Sequence, residues 1–234
     1  MNSIYKVKIK DIEMSLYEFP NSLTIPHVEK ELNEDVYGLN NLQFESNDIV
    51  LDLGGHVGMF TIFLAKKFPN IQIYTFEANP LNFEFLEKNI ELNNISNVKI
   101  FNKAVFSKSN ERIKICAQTN GNSGGSSIFR PSSWNGSWVE IETISLSDIF
   151  KNENLQNCKF LKIDIEGAEF DVLYNFEDFD KIENIGIEFH ENEILDEKGY
   201  KPNKLHQFLV EKMGQEKIFT ANNWDNGIIR AKNF

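Results

Sequence analysis

The chain has 234 residues, of which 41% are hydrophobic, and this length and composition predict one substantial folded core and exclude wholesale disorder. Its formal net charge of −11 at pH 7 argues against broad binding to DNA or RNA, since such binding depends on Lys and Arg neutralising phosphates. No stretch has the roughly 20 consecutive apolar residues of a membrane span, and the two cysteines match no metal-ligand spacing, so we expect a cytoplasmic protein with reduced thiols.

The first half of the chain alternates between strand and helix patterns. We expect residues 1–48 to form an N-terminal extension packed on a core domain that spans residues 49–234. Apolar runs predict strands at 49–53, 71–76 and 97–101. Between them, Phe60, Leu64 and Phe68 recur at helical spacing, and Asn79-Pro80 has the residue types that begin a helix. Strands and helices in this order predict a parallel sheet with helices on both faces.

The middle of the chain has a different composition. Residues 112–116 and 138–144 are predicted strands, and residues 118–137 between them form a loop rich in Gly, Ser and Asn. Loops of this length in compact domains are often lids or binding loops, although an idle surface loop is the alternative. If the loop covers an acceptor, its candidate contacts are the hydroxyls of Ser126 and Ser127 and the rings of Phe129, Trp134 and Trp138.

The last part of the chain returns to alternation. The segments KFLKIDIEGAEF and IENIGIEFHENE each contain a predicted strand, the first running into a helix. An amphipathic helix ends at Gly214, and two short strands near Ile218 and Ile228 could form a hairpin.

The segment IVLDLGGHVGMF contains three glycines directly after the first core strand. The dinucleotide fingerprint GxGxxG would need glycines where His56 and Met59 stand, which argues against an oxidoreductase that binds a dinucleotide. A phosphate-binding GK[ST] sequence is also missing. The glycines therefore indicate a nucleoside ligand without phosphates.

S-adenosylmethionine is a ligand of that kind. Asp52 ends the first core strand, and Gly54, Gly55 and Gly58 let the backbone approach a ligand before Thr61 enters the helix. Glu77 ends the second core strand, where a carboxylate can accept hydrogen bonds from both ribose hydroxyls. Acidic groups would suit the ammonium of the cofactor, and a helix N-terminus would suit its carboxylate.

Five ordered segments together resemble the FkbM-type methyltransferases, a class I family that depends on S-adenosylmethionine. The segments are VLDLGGHVGMFTIFLA, YTFEANPLNFEFLEKNIELNN, NKAVFS, LKIDIEGAEFDVL and IEFH. The resemblance implies an α/β, Rossmann-like class I methyltransferase fold with a mostly parallel, twisted, seven-stranded sheet, helices on both faces and an antiparallel last strand.

The same resemblance implies roles for particular residues. Asp52, Gly54, Gly55, Gly58 and Glu77 match its cofactor-binding positions, and the segment from Asn102 through Ala104 to Val105 should line the adenine. His56 departs from the family, which more often has a small residue or asparagine there. Family members usually methylate oxygen on sugars or secondary metabolites.

A second group of polar residues follows the two later strands. Because residues i and i+2 share one face of a strand, Asp164 should pair with Glu166, and Glu188 with His190. In one hypothesis His190 or a carboxylate is the catalytic general base for an acceptor hydroxyl. In a second, Asp164, Glu188 and His190 bind a divalent metal. In a third, Asp164 and Glu166 only hold the methionine end of the cofactor and cap the following helix, while His190 is a solvated histidine at the end of its strand.

These observations predict an S-adenosylmethionine-dependent methyltransferase that acts on a hydroxyl of a sugar, a glycan precursor or another small polar metabolite. The alternatives are an N-methyltransferase and a non-catalytic nucleoside-binding protein of the same fold. The expected partner is a small-molecule or glycan acceptor, without nucleic acid, and the oligomeric state stays open.

Overall fold

The computed structural model describes residues 3–117, 123–130, 137–214, 218–220 and 227–232. The strands are β1 (Ser3–Ile9), β2 (Ile12–Glu18), β3 (Ile49–Leu53), β4 (Gln72–Phe76), β5 (Val98–Phe101), β6 (Ala104–Phe106), β7 (Arg112–Ala117), β8 (Ser137–Ser145), β9 (Phe160–Ile163), β10 (Asn184–Glu188), β11 (Ile218–Thr220) and β12 (Ile228–Lys232). The helices are α1 (Thr24–Glu34), α2 (Met59–Lys67), α3 (Pro80–Leu92), α4 (Leu146–Asn152), α5 (Glu169–Tyr174), α6 (Glu193–Glu197) and α7 (Pro202–Met213), with short 3-10 helices at Leu39–Asn41 and Phe179–Lys181.

The central sheet has seven strands in the order β11-β12-β10-β9-β3-β4-β5. Neighbouring strands from β10 to β5 are parallel, whereas β12 runs antiparallel to both β10 and β11. The predicted seven-stranded, mostly parallel sheet with an antiparallel last strand is therefore confirmed. Two smaller sheets, β1-β2 and β6-β8-β7, accompany it.

Helices cover the central sheet on both faces, and the alternation of side chains along β3 shows why. Val50 belongs to one buried apolar cluster, together with residues of α1 and α2. Leu51 and Leu53 point to the other face and belong to a second cluster, together with residues of α5 and α7. A strand that is buried on both faces needs a continuous apolar run, as this sequence has.

The ends of the helices follow local chemistry that the sequence displays. Asn79 caps α3, since its side chain accepts a hydrogen bond from the backbone N–H of Leu81, and Pro80 occupies the first helical position. Helix α7 ends at Gly214, as predicted.

The N-terminal residues 3–48 are tied to the core by side-chain hydrogen bonds. Asn89 on α3 and Asn93 directly after it accept hydrogen bonds from the backbone N–H groups of Tyr17 and Ser15 on β2. At the other side, the guanidinium of Arg230 donates to the backbone carbonyls that follow α1. This packing brings α1 over the carboxyl edge of the sheet.

The carboxyl ends of β3, β4, β9 and β10 meet at one edge, because these strands are parallel. That edge is where ligands bind in open α/β sheets. Within the described residues, no helix is long and apolar enough to cross a membrane.

Candidate active site

A cavity of about 390 Å³ opens at the carboxyl edge of the central sheet. Its walls come from the turns that follow β3, β4, β9 and β10, from α1, from β6 and β7, and from residues 124–130 of the Gly/Ser-rich loop. Several predicted site residues line it, namely Gly54, Gly55, Glu77, Ala104, Asp164, Glu188 and His190. This volume lies in the range typical of small-molecule sites.

The glycine turn after β3 leaves no room for side chains. Gly54 has a φ of +87°, and a Cβ placed on it would lie 1.7 Å from the backbone oxygen of Asp164. A Cβ on Gly55 would lie 2.1 Å from Cγ2 of Thr75. The turn is thus packed against β9 and β4 on one side, and its bare backbone faces the cavity on the other.

We expect Gly54→Ala to lower the free energy of unfolding by about 2–5 kcal/mol, the sum of a left-handed backbone penalty and an overpacking penalty. Gly199→Ala is the matched control, because Gly199 has a φ of +74° but its nearest neighbour is the Lys204 ammonium at 3.5 Å. The control should lose only about 1–2 kcal/mol. Urea unfolding measures the free energy of unfolding of both variants. Equal losses would contradict the prediction, because the added Cβ at position 54 would then cause no overpacking penalty.

Four residues predicted to bind the cofactor do not line the cavity: Asp52, Gly58, Thr61 and Asn102. Asp52 is fully buried, accepts a hydrogen bond from Thr61 and forms an ion pair with Lys162 at 3.2 Å. Gly58 packs against Leu86, and the amide of Asn102 donates to the backbone oxygen of Glu77. These residues support the cavity wall from behind.

Lys162 is a buried cation that none of the cofactor motifs predicts, although a lysine inside the apolar strand FLKI is an unusual residue there. Its ammonium donates to the backbone oxygen of Gly54 at 2.9 Å and forms an ion pair with Asp164 at 3.3 Å. Burial alone would lower the pKa of Lys162, but Asp52 and Asp164 outweigh burial and raise the pKa above its ordinary value. Lys162 therefore stays charged and links β3 to β9 beside the cavity.

Glu77 lies directly after β4, with only 6% of its surface exposed. Its two carboxylate oxygens accept hydrogen bonds from the backbone N–H groups of His56 and Asn79, each at 2.8 Å. Burial raises the pKa of Glu77 to about 7. The carboxylate is held at the cavity wall between the glycine turn and Ala104, where its remaining lone pairs can accept from a ligand.

The second predicted group converges, but not through alternation along a strand. Strand β9 ends at Ile163, so Asp164 and Glu166 lie in the following turn, and Glu166 has a φ of +54°. Ligand atoms of Asp164, Glu188 and His190 nevertheless lie within 4.8 Å of one another. Neighbouring parallel strands β9 and β10 bring them together, as expected.

The charges in this group alter its proton affinities. Burial and the charge of Asp164 raise the pKa of Glu188 to about 9. Burial alone would lower the pKa of His190, but the charges of Glu169 and Glu166 hold it well above the ordinary value. A neutral His190 is consequently a stronger base than a free histidine.

The raised pKa of Glu188 predicts that the stability of the protein depends on pH. Between its ordinary pKa of 4.5 and about 9, the folded state keeps a proton that the unfolded state has lost, so stability falls as pH rises. In Glu188→Gln this titration is absent. We expect the free energy of unfolding of the variant to fall less steeply with pH, by up to about 1.4 kcal/mol per pH unit. Urea unfolding at pH 6 and pH 9 measures it, and identical slopes in the variant and the natural protein would contradict it.

Helix α1 and the segment after it supply a wall that the sequence analysis did not foresee. His27, Glu31 and Tyr37 line the cavity. The hydroxyl of Tyr37 donates to Glu188 at 3.4 Å, and burial followed by the charge of Asp164 raises the pKa of Glu31. His27 and Glu31 are four positions apart and share one face of α1, but no local signal shows which element that face meets.

The described part of the Gly/Ser-rich loop, residues 123–130, contributes to the cavity wall. Ser126 and Ser127 line it, and Arg130 forms an ion pair with Glu166 at 3.1 Å. Phe129 instead packs among buried apolar residues, and Trp138 lies outside the cavity lining. Trp134 and the rest of the loop, residues 118–122 and 131–136, lie outside the described residues.

A family model described as the methyltransferase FkbM domain matches residues 52–217. The chain belongs to this family. It is 28% identical over 222 residues to Methyltransferase 1 of Beauveria bassiana, covering 85% of each chain. It is also 24% identical over 209 residues to 31-O-demethyl-FK506 methyltransferase FkbM of Streptomyces tacrolimicus, covering 74% of this chain and 80% of that one.

Solved structures confirm the class I methyltransferase fold. An S-adenosylmethionine-dependent methyltransferase from Agrobacterium tumefaciens superposes with a TM-score of 0.52 at 9% identity, covering all (100%) of this chain and 72% of that one. A putative rRNA methylase from Clostridium thermocellum has a TM-score of 0.50 at 12% identity, covering 87% and 96%. At 9% and 12% identity, the similarity between this FkbM family member and the two structures shows only that they share a fold.

Proposed function

We propose that this FkbM methyltransferase transfers the methyl group of S-adenosylmethionine to a hydroxyl of a sugar, a glycan precursor or another small polar metabolite. The single observation that carries the proposal is the Glu77 carboxylate, held at the cavity wall directly beside the bare backbone of Gly54 and Gly55. A relative named for acting on a 31-O-demethyl compound supports oxygen as the methylated atom.

The residues present fit the donor. The glycine turn leaves its backbone face free for a ligand, since a Cβ on Gly54 or Gly55 would collide with the protein itself. Glu77 can accept from two ribose hydroxyls, and Ala104 and Val105 form an apolar wall suited to adenine. The charged pair of Lys162 and Asp164 suits the carboxylate and ammonium of a methionine end. When bound, the donor supplies an electrophilic methyl on a sulfonium.

The protein then needs to position an acceptor and remove one proton. Holding the two reactants in line in a closed cavity supplies much of the catalysis in such displacements. His190 lines the cavity beside Asp164 and Glu188, and the neutral form of its ring takes the proton from the acceptor hydroxyl as general base. We place the acceptor beside this group, in the part of the cavity that Glu31 on α1 and Tyr37 after α1 also line.

In a second version, Asp164, Glu188 and His190 would hold a divalent metal, which would lower the pKa of the acceptor hydroxyl. The observation in its favour is that oxygen atoms of Asp164 and Glu188 and a ring nitrogen of His190 lie within 4.8 Å. Imidazole and carboxylate ligands suit Zn²⁺, Mn²⁺ and related ions. The carboxylates would equally suit an ammonium group, as an N-methyltransferase would need.

A screen of acceptors separates these versions. The protein is incubated with S-adenosylmethionine and matched sugars, nucleotide-linked sugars and amines, with S-adenosylhomocysteine release and product mass as readouts. We expect methylation of a hydroxyl that persists after exhaustive chelation. Loss of turnover that Mg²⁺ or Mn²⁺ restores would support the metal version, and a methylated amine would contradict the choice of oxygen.

A further inference from the structure

His190 has two ring nitrogens in different surroundings. Its Nδ1 lies 3.0 Å from Oε1 of Glu169, inside the protein. Its Nε2 faces the cavity, 3.6 Å from Oε1 of Glu166 and 4.0 Å from Oε1 of Glu188. Only the contact to Glu169 has the length of a good hydrogen bond. The orientation of the ring therefore depends on Glu169.

Glu169 is itself fixed by the backbone. It is fully buried at the start of α5, and its Oε1 accepts hydrogen bonds from the N–H groups of Ile165 and Gly167, each at 3.1 Å. An oxygen that faces two N–H donors acts as an acceptor toward the third neighbour as well. In the hydrogen bond with Glu169, Nδ1 of His190 must consequently be the donor.

This arrangement decides which nitrogen of the neutral ring has the lone pair. With the proton on Nδ1, Nε2 presents its lone pair to the cavity. A general base needs that lone pair, and so does a metal ligand, whose other N–H is usually donated to a carboxylate or carbonyl. The hydrogen bond from Nδ1 to Glu169 therefore suits both versions of the proposed function, the general base and the metal ligand.

We propose that Glu169 is a positioning residue for the methyl transfer, which fixes the tautomer and the direction of the His190 ring without touching either substrate. The inference rests on the proposed function for its catalytic consequence, but the tautomer can be measured without any acceptor. Glu169 belongs to the segment KIDIEGAEF, in which only Asp164 and Glu166 were predicted to be site residues.

The test is nitrogen-15 NMR of the imidazole rings at a pH where they are neutral. The chain has four histidines, so the signal lost in His190→Ala identifies the ring. We expect the proton on Nδ1 in the natural protein. In Glu169→Leu, which has no acceptor, the ring should show a mixture with the proton on Nε2, and in Glu169→Gln, which retains an acceptor oxygen, the Nδ1 form should persist.

Glu166→Gln is the matched control, because it neutralises the carboxylate nearest to Nε2 and leaves the bond to Nδ1 in place. The His190 ring should keep the proton on Nδ1 in this variant. A proton on Nε2 in the natural protein, or an unchanged ring in Glu169→Leu, would overturn the proposal.

Kinetics separate positioning from a purely structural role. Glu169→Leu should lower kcat roughly 10- to 100-fold while the affinity for S-adenosylhomocysteine stays unchanged, and Glu169→Gln should recover part of kcat. Parallel losses of thermal stability, cofactor affinity and kcat in both variants would instead indicate a structural role. If the tautomer behaves as expected but His190→Ala is fully active, the catalytic role assigned to His190 fails, while the hydrogen bond that fixes its tautomer is confirmed.

Discussion

Replacing His190 by alanine should lower kcat by roughly 10²- to 10⁴-fold, the usual contribution of a general base, and leave the affinity for S-adenosylhomocysteine unchanged. The reason is positional. The His190 ring contacts Glu169, Glu166 and Glu188, and neither the glycine turn nor Glu77 is among its ion-pair or hydrogen-bond partners. Removing it therefore affects the acceptor side of the cavity and spares the nucleoside side.

The measurement is steady-state kinetics on an acceptor found in the screen, with calorimetric binding of S-adenosylhomocysteine as the parallel readout. His206→Ala is the control, because His206 lies on α7 away from the cavity lining. This variant should keep the natural kcat. A His190→Ala protein with natural turnover would exclude both the general base and the metal ligand.

Glu77→Gln should weaken the binding of S-adenosylhomocysteine by roughly 10- to 150-fold, corresponding to about 1.5–3 kcal/mol for a hydrogen bond to a charged group. An amide has a single acceptor oxygen, whereas both oxygens of Glu77 already accept from backbone N–H groups. The variant must leave one of these donors without its acceptor, and it loses the negative charge that ribose hydroxyls face.

Calorimetric titration with S-adenosylhomocysteine measures this loss, and thermal melting verifies that the variant is folded. Glu84→Gln is the matched control, since Glu84 is exposed on α3 outside the cavity lining and should bind normally. Unchanged affinity in a folded Glu77→Gln protein would remove Glu77 from the nucleoside site.

Much of the fold could be predicted because its signals are local. The apolar run of β3, the glycines after it and the cap formed by Asn79 and Pro80 each act within a few residues. The order of strands and helices then predicts a parallel sheet, whose carboxyl edge must hold the turns that follow the strands. Local chemistry and chain order were therefore enough to locate the cavity.

The composition of the cavity wall was harder to predict, because it depends on contacts between distant segments. Tyr37 meets Glu188 across 151 positions of the chain, and no pattern near either residue announces the contact. Asp52 shows the same dependence: its position at the end of the first core strand predicts a ligand contact, and in the folded protein Lys162 on the neighbouring strand forms an ion pair with it. Packing decided which of these charges faces the cavity.

Two overlooked residues had signals that were available. A lysine within the buried strand β9 predicts a buried ion pair, since an unpaired charge there would be costly. Glu169 is the first residue of α5, two positions after Gly167, where a side-chain oxygen can accept from free backbone N–H groups. Both signals concern burial and hydrogen bonding, and neither is part of a cofactor motif.

The most direct test of the methyltransferase site is calorimetric titration of metal-stripped natural protein with S-adenosylhomocysteine, with NAD as the comparison. We predict binding of the thioether with one site per chain and no heat from NAD, because the glycine turn and Glu77 suit a nucleoside without a pyrophosphate. Binding of NAD, or no binding of the thioether, would contradict the assignment of the cavity to the methyl donor.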